Sequence, residues 1–438
     1  MKVLSIPSFT LDTLCQLNTN TKRYPFLLES VNHNQANRYS ILFAHPTEKI
    51  VLNNLDEFDF LSTLESSIDT PTIQSDLPFT GGWFVYLSYE LIGQIESTLK
   101  NDLHSGDQAV AIAVKIPTAI VIDHADDQTY LLDQFGDQAR IDQVLADIEH
   151  LNEIEAIAIK GVLSWEEESK FLSGVERSRD YIVAGDVFQV NLSRQWQYQL
   201  DTKIAPVQIY QALKRSNPAP FSALAQFEGF SIISSSPERL FSVDGDQVET
   251  RPIAGTHPRG SGEEDERLKA QLINHPKEQA EHIMLLDLER NDLGRVCEYG
   301  SVHVNEIMTL ESYPYVHHIV SNIKGKLRPD INIKALVQAL FPGGTITGCP
   351  KIRCMQIIAE LEQMPRQAYT GSLGYISSND KMDFNILIRT ITQQDNTLTL
   401  RAGAGIVFDS VAERELEETQ HKAEGVLKIF DQSTKAET

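Results

Sequence analysis

"NTLTLRAGAGIVFDSVAERELEETQHKAEGVLKIF", residues 396–430, is the stretch whose reading decides the architecture. Leu398, Leu400, Ala402, Ala404 and Ile406 alternate along its first part, the pattern of a half-buried antiparallel strand. Gly403 and Gly405 fall on the other face, where a missing side chain suits close approach of a ligand to the backbone. Ser410 followed by Glu413 has the form of a capping box and predicts a helix starting there. That helix carries Glu415 and Glu418, three apart and on one face.

The same grammar extends outward. "GFSIISSS", "QVETRPI", "SVHVNE" and "LGYISS" read as further strands, and "FNILIRT" as an apolar strand ending at Arg389. "AVAIAVKIPTAIVID" (109–123) and "QTYLLDQF" (128–135) are strands around the turn "HADD". "PKEQAEHIMLLDLERND" is a second acidic helix, with Glu278 and Glu281 again three apart. The fold class is therefore α+β, with large antiparallel β-sheets flanked by helices. Residues 136–160 read as an acidic helical connector. They divide an N-terminal domain (1–160) from a larger one (161–430), followed by a tail (431–438).

Composition limits what such a fold can do. The 438 residues are 41% hydrophobic and 23% charged, ordinary for a globular protein, but the net charge is −23. A surface so acidic disfavours nucleic acid and anionic membranes, which need clustered Lys and Arg. An anionic small substrate would need a metal ion or a few well-placed cations. Cys15, Cys297, Cys349 and Cys354 are dispersed and form no C-x-x-C, which suits reduced thiols. "MKVLSIPSFTLDTL" lacks the apolar run of a signal peptide, so a cytoplasmic location is expected.

Four Glu in two i,i+3 pairs could converge on one hard cation, and the same spacing also suits two solvated acidic faces. "FPGGTITGCPK" (341–351) is a Gly/Thr-rich loop leading into a helix. A guanidinium at Arg389 would be costly to bury unpaired, and a carboxylate ligand would satisfy it. His318, in "YPYVHHIV", poses the same question, although a lone histidine there also suits a structural role. "RPIAGTHPRG" (251–260) cannot be an uninterrupted helix, because Pro252 and Pro258 remove donors and fix φ. It reads as a rigid turn with Ala254 at its centre.

Taken together, "GDVFQVNLSR", "SSSPERL", "RPIAGT", "AEHIMLLDLERNDLGRV", "FPGGTITGCPK", "TGSLGYIS", "MDFNILIRT", "AGAGIVFDS" and "EETQHKA" resemble the chorismate-utilising enzymes. Within that group they resemble component I of aminodeoxychorismate synthase and of anthranilate synthase. The N-terminal third resembles the family more loosely, through "RYPFLLES" and "PFTGGWFVYLSYEL". The resemblance implies an α+β sandwich with its site between the sheets. It implies Mg2+ held directly by Glu281 and Glu418, and through water by Glu278 and Glu415, gripping the ring carboxylate of chorismate with help from Lys422. Arg389, Tyr369 and the backbone at Gly403 and Gly405 would hold the pyruvyl carboxylate. Thr256, Thr345 and His318 would line the ring. The turn would present Ala254 and the Gly255 amide with little motion, and Glu238 would be the general acid for the C4 hydroxyl.

Ala254 divides the readings. Many aminodeoxychorismate synthases carry a lysine nucleophile there, and anthranilate synthases carry alanine. "FQVNLSRQ", "NPAPFSA", "YPYVHH" and "MDFNILIRT" nevertheless resemble aminodeoxychorismate synthase, which is the expectation adopted. No cysteine stands in G-x-C-x-G, so ammonia is expected from a separate glutamine amidotransferase subunit or from solution. "LLES" (27–30) resembles a tryptophan pocket and also reads as an ordinary strand. The non-enzyme alternative is a tryptophan-sensing or scaffold protein on an inactive fold. Retention of the four carboxylates with Arg389, Tyr369, Lys422 and Glu238 weighs against it.

Overall fold

The structure is a computed structural model. It describes residues 1–31, 38–68, 74–313 and 316–430, without the side chains of Ala254, Thr256, Pro258 and Lys277. The tail expected at 431–438 lies outside the described residues.

The described strands form two sheets, one of twelve and one of ten, with every pairing between them antiparallel. Their facing sides share one core. Phe26 and Phe43 from the larger sheet meet Phe84, Tyr86 and Tyr375 from the smaller. Phe26 stacks on Phe84 with ring centroids 4.1 Å apart. Burying each such ring contributes about 1.5–3 kcal/mol, which fixes the sheets face to face. The helices Gln138–Glu149, Pro206–Ser216 and Ala412–Leu427 cover the outer face of the larger sheet. Ile333–Leu340 and Pro276–Gly294 pack with the smaller one, and Lys351–Glu362 lies against the strand Gln189–Leu200 of the larger. The result is a four-layer α+β sandwich, and each sheet takes strands from both sides of residue 160.

Three sequence readings need correction. The run 109–123 is two strands, Ala111–Ile116 and Thr118–Asp123, and they belong to different sheets. Pro117, which cannot donate to a ladder, stands at the crossing. The connector is helical only over Gln138–Glu149. Ser410 does not cap the second acidic helix: that helix starts after Val411, and Ser410 Oγ instead accepts from the Val407 amide at 3.0 Å. The hydroxyl is used by the turn leaving the strand, so the helix begins uncapped by a side chain.

Candidate active site

The site is built where the chain passes between the sheets. The strand Ser231–Ser236 lies in the larger sheet and Arg239–Asp244 in the smaller, so Pro237 and Glu238 form a crossover. Met382–Asn385 and Thr390–Gln394 form a second one in the reverse direction. Arg389 is therefore not the end of a strand, as the sequence suggests, but part of this link. Its φ of +51° is unusual for a residue with a side chain and marks local strain. The crossovers are tied together: the Ile386 amide donates to Glu238 O at 3.0 Å, and the Ser235 amide to Arg389 O at 3.2 Å.

Glu238 is 4% exposed, and its Oε1 has no hydrogen-bond partner. Burial pushes the acid up to about 7, against the pull of Thr345, the Ile253 amide and Arg389, while the charge of Glu289 adds to the rise. Thr345 lies close by, yet its buried Oγ1 also lacks a partner of good geometry. Burial destabilises the Arg389 cation, and the Glu238 charge opposes that effect. No described carboxylate forms an ion pair with Arg389. His318 is driven down to about 3, chiefly by burial and then by Arg389, so its ring is neutral. With Arg389 it borders a small cavity closed by Asn217, Pro218 and Pro237.

"RPIAGTHPRG" is not a turn but a strand, Ile253–Pro258, paired with Val316–Lys326. Its register shifts between Ala254 and Thr256, at Gly255, which has a φ of +73°. The chain makes a bulge there rather than reversing, and glycine permits that conformation. The backbone of Thr256 lies opposite His318, while the side chains of Ala254 and Thr256 lie outside the described residues.

The wall across the larger sheet is the strand Thr397–Ile406. A Cβ on Gly403 would stand 2.7 Å from both Tyr369 Oη and Asn191 Oδ1, so this position takes no larger residue without displacing them. Gln189 Oε1 and Asn191 Oδ1 are buried without partners on the neighbouring strand Gln189–Leu200. Sequence reasoning misses these two amides; their same-face spacing in "FQVNLSR" is the available signal. Tyr369 is pushed up to about 12 by burial, and the Arg366 guanidinium lies 5.4 Å from its ring. Arg366 is fixed by Glu362, which also binds Arg401 at 2.9 Å.

The two acidic helices stand on different sheets. Glu278 reaches the bulge, with Oε2 at 2.9 Å from where a Cβ on Gly255 would be. Glu281 is half-buried on the same helix, and Glu415 is 8% exposed on the other. Lys422 binds Glu418 at 2.7 Å and donates to Gly403 O at 3.0 Å, joining the second helix to the glycine strand. Among the described residues no three His, Cys, Asp or Glu side chains stand together in an arrangement that could hold a metal ion. The donor chemistry of the four carboxylates suits a hard cation, but their placement here does not by itself form a cage.

A larger cavity, about 660 Å³, lies elsewhere, between Glu29–Ser30, Phe221 and the Arg239–Asp383 pair. Leu28, Glu29 and Ser30 of "LLES" line it, and Glu29 accepts a hydrogen bond from Tyr210 Oη. No helix among the described residues is long and apolar enough to cross a membrane.

A buried acid, a cation without a protein carboxylate and a glycine-lined wall between two sheets suit a small anion whose reaction needs a proton donor. The chain belongs to the chorismate binding enzyme family, whose model matches residues 23–428. It is a chorismate-utilising enzyme. Aminodeoxychorismate synthase component 1 of Bacillus subtilis is 40% identical over 385 residues, covering 84% of this chain and 82% of its own. An anthranilate synthase component I-like protein of Synechocystis is 38% identical over 412 residues, covering 92% and 84%. The crystal structure of anthranilate synthase component I from Streptococcus pneumoniae superposes with a TM-score of 0.80 at 32% identity, covering 90% of this chain and 93% of that one.

For Arg389 the expectation is quantitative. A charge-assisted hydrogen bond to a substrate carboxylate is worth about 1.5–3 kcal/mol, so Arg389→Met should raise the KM for chorismate roughly 10- to 150-fold. Steady-state kinetics on the folded variant tests this, and an unchanged KM would assign the carboxylate to another group.

Proposed function

We propose that the chain is component I of an aminodeoxychorismate synthase. It exchanges the C4 hydroxyl of chorismate for an amino group, releasing water and forming 4-amino-4-deoxychorismate for 4-aminobenzoate and folate synthesis. The observation that carries this is the placement of Glu238 and Arg389 on paired crossovers. A buried acid whose protonated form is favoured by burial and a buried guanidinium are thereby held at one mouth between the sheets. Glu238 would protonate the departing oxygen. Arg389, Tyr369 and the backbone at Gly403 and Gly405 would hold the pyruvyl carboxylate. Thr256, Thr345 and the neutral His318 would line the ring beside Ala254 and Gly255.

Mg2+ belongs to this reading. Glu281 and Glu418 would bind it directly and Glu278 and Glu415 through water, with Lys422 alongside. Once bound, it neutralises the ring carboxylate. Ammonia would come from a glutamine amidotransferase subunit, since no G-x-C-x-G nucleophile is present in the chain. Tryptophan has no place in this reading. Support for the particular reaction comes from the 40% identity to an aminodeoxychorismate synthase component 1 and from motifs such as "FQVNLSRQ".

Ala254 favours a second reading, anthranilate synthase component I, which yields anthranilate and pyruvate. Product identification separates the two. Chorismate, ammonium and Mg2+ with the purified chain should give a product that keeps its pyruvyl ether and that an added lyase converts to 4-aminobenzoate. Glutamine should serve only after an amidotransferase subunit is added. Because a methyl group cannot attack carbon, intact-protein mass spectrometry should show no adduct at Ala254. Pyruvate and fluorescent anthranilate appearing without lyase would make the chain anthranilate synthase component I.

A further inference from the structure

Behind Glu238 stands a second buried acid that the reaction as described does not use. Glu289, on the helix Pro276–Gly294, is 5% exposed. The two acids share one turn. The Gly344 amide donates to Glu289 Oε1 at 3.1 Å, while the next residue, Thr345, lies against Glu238. Thr250 Oγ1 makes a second, longer bond to Glu289 Oε2 at 3.3 Å. Glu289 thus has an amide donor to Oε1 and, at Oε2, a share of the Thr250 hydroxyl that also donates to Leu240 O at 2.9 Å, whereas Glu238 Oε1 has none. Farther along lie Asp292 and Lys351, paired at 2.6 Å, and both line a cavity of about 310 Å³.

Two buried carboxyls, one of which feels the other's charge, do not both ionise readily. The charged groups facing Glu289 are Asp292 from its own helix, Lys351 from the helix Lys351–Glu362, and Glu238. Those facing Glu238 are Glu289 and Arg389. Burial raises Glu289 too, to about 7, with Asp292 adding to the rise and Lys351, the Gly344 amide and Thr250 opposing it. A substrate carboxylate on Arg389 would cancel the Arg389 charge, which favours ionised Glu238 alongside Thr345 and the Ile253 amide. The donors at Gly344 and Thr250, and the Lys351 charge, remain with Glu289.

We propose that Glu289 is a positioning residue for the proton: it takes the single negative charge of the pair, so that Glu238 keeps its acid form at neutral pH. The inference rests on the proposed role of Glu238 as the general acid. Glu289→Gln keeps the oxygen that accepts from the Gly344 amide, turns an amide nitrogen toward Thr250 Oγ1, and removes the charge. Glu238 then ionises at lower pH, and the alkaline limb of the rate profile moves down.

The measurement is loss of chorismate absorbance with ammonium and Mg2+, which reads turnover whichever product forms. Taking variant over wild type at each pH cancels the ionisation of ammonia. A limb displaced by one pH unit appears as a roughly tenfold loss at pH 8 and a much smaller loss at pH 6, because each unit is a factor of ten. The KM for chorismate should stay near wild type, and Glu289→Asp, which restores the charge, should restore the limb. Glu289→Met reads the same limb if the glutamine variant does not fold. A uniform loss across pH, or an unshifted limb, overturns the inference while leaving Glu238 as the acid. Full turnover by Glu238→Gln instead sinks the acid assignment beneath it.

Discussion

Glu238→Gln should lower kcat by about 10²- to 10⁴-fold while leaving the Kd for chorismate within a few-fold of wild type. Glutamine fills the same volume in a pocket where the side chain is 4% exposed, so the crossover should keep its shape. What it lacks is a proton to give. Water would have to leave C4 as hydroxide, a far poorer leaving group. In the proposed reading binding should survive, because Arg389 would hold the substrate independently of that proton. The wild-type profile should decline above the apparent value of about 7, since the active form of a general acid is the protonated one. Single-turnover rates with a separate titration of binding check the division. A variant that loses affinity but turns over normally once saturated would make Glu238 a substrate-positioning residue.

What can be read from sequence is whatever repeats locally. The strand 397–406, both acidic helices and the glycine phase at 403 and 405 follow from spacing alone, and the structure contains them. Where the chain changes sheet, spacing misleads. "FNILIRT" is as apolar as a strand because Ile386 and Leu387 are buried between the layers, yet the ladder breaks before Arg389. The run 109–123 reads as continuous for the same reason, with Pro117 the one sign of its crossing. "RPIAGTHPRG" reads as a turn because proline and glycine usually mark one; here they flank a bulge on a paired strand. Ser410 and Glu413 match the capping-box pattern, but the pattern carries no sign that the hydroxyl is committed to Val407.

Site chemistry divides in a similar way. Glu238 and Arg389 can be singled out because the motifs around them resemble a known family. Glu289 cannot: in "LLDLERND" it is one acid among several, with Asp287 before it and Asp292 after. Its meaning depends on facing inward, toward Gly344 and Thr250, which is a tertiary fact.

Removing Mg2+ should abolish turnover, and this is the expected effect of greatest size. Chorismate is a dianion, and the protein that must bind it carries a net charge of −23. In the proposed reading Glu278, Glu281, Glu415 and Glu418 surround the ring carboxylate, so without a cation the substrate would meet like charge. Lys422 supplies one positive charge, but it is already shared with Glu418 at 2.7 Å and Gly403 O at 3.0 Å. The helices rest on opposite sheets and form no metal cluster among the described residues, so ion and substrate should bind together rather than in sequence. Coupled binding has a thermal signature. Mg2+ alone and chorismate alone should move the melting temperature little, and the two together clearly more, because a ligand stabilises by RT ln(1 + [L]/Kd) and each would lower the other's Kd. Glu281→Gln should erase that joint shift without lowering the melting temperature of the free protein. EDTA should stop chorismate loss, and added Mg2+ should restore it. Full activity in EDTA, or a joint shift that persists in Glu281→Gln and Glu418→Gln alike, would return these helices to the role of solvated acidic faces.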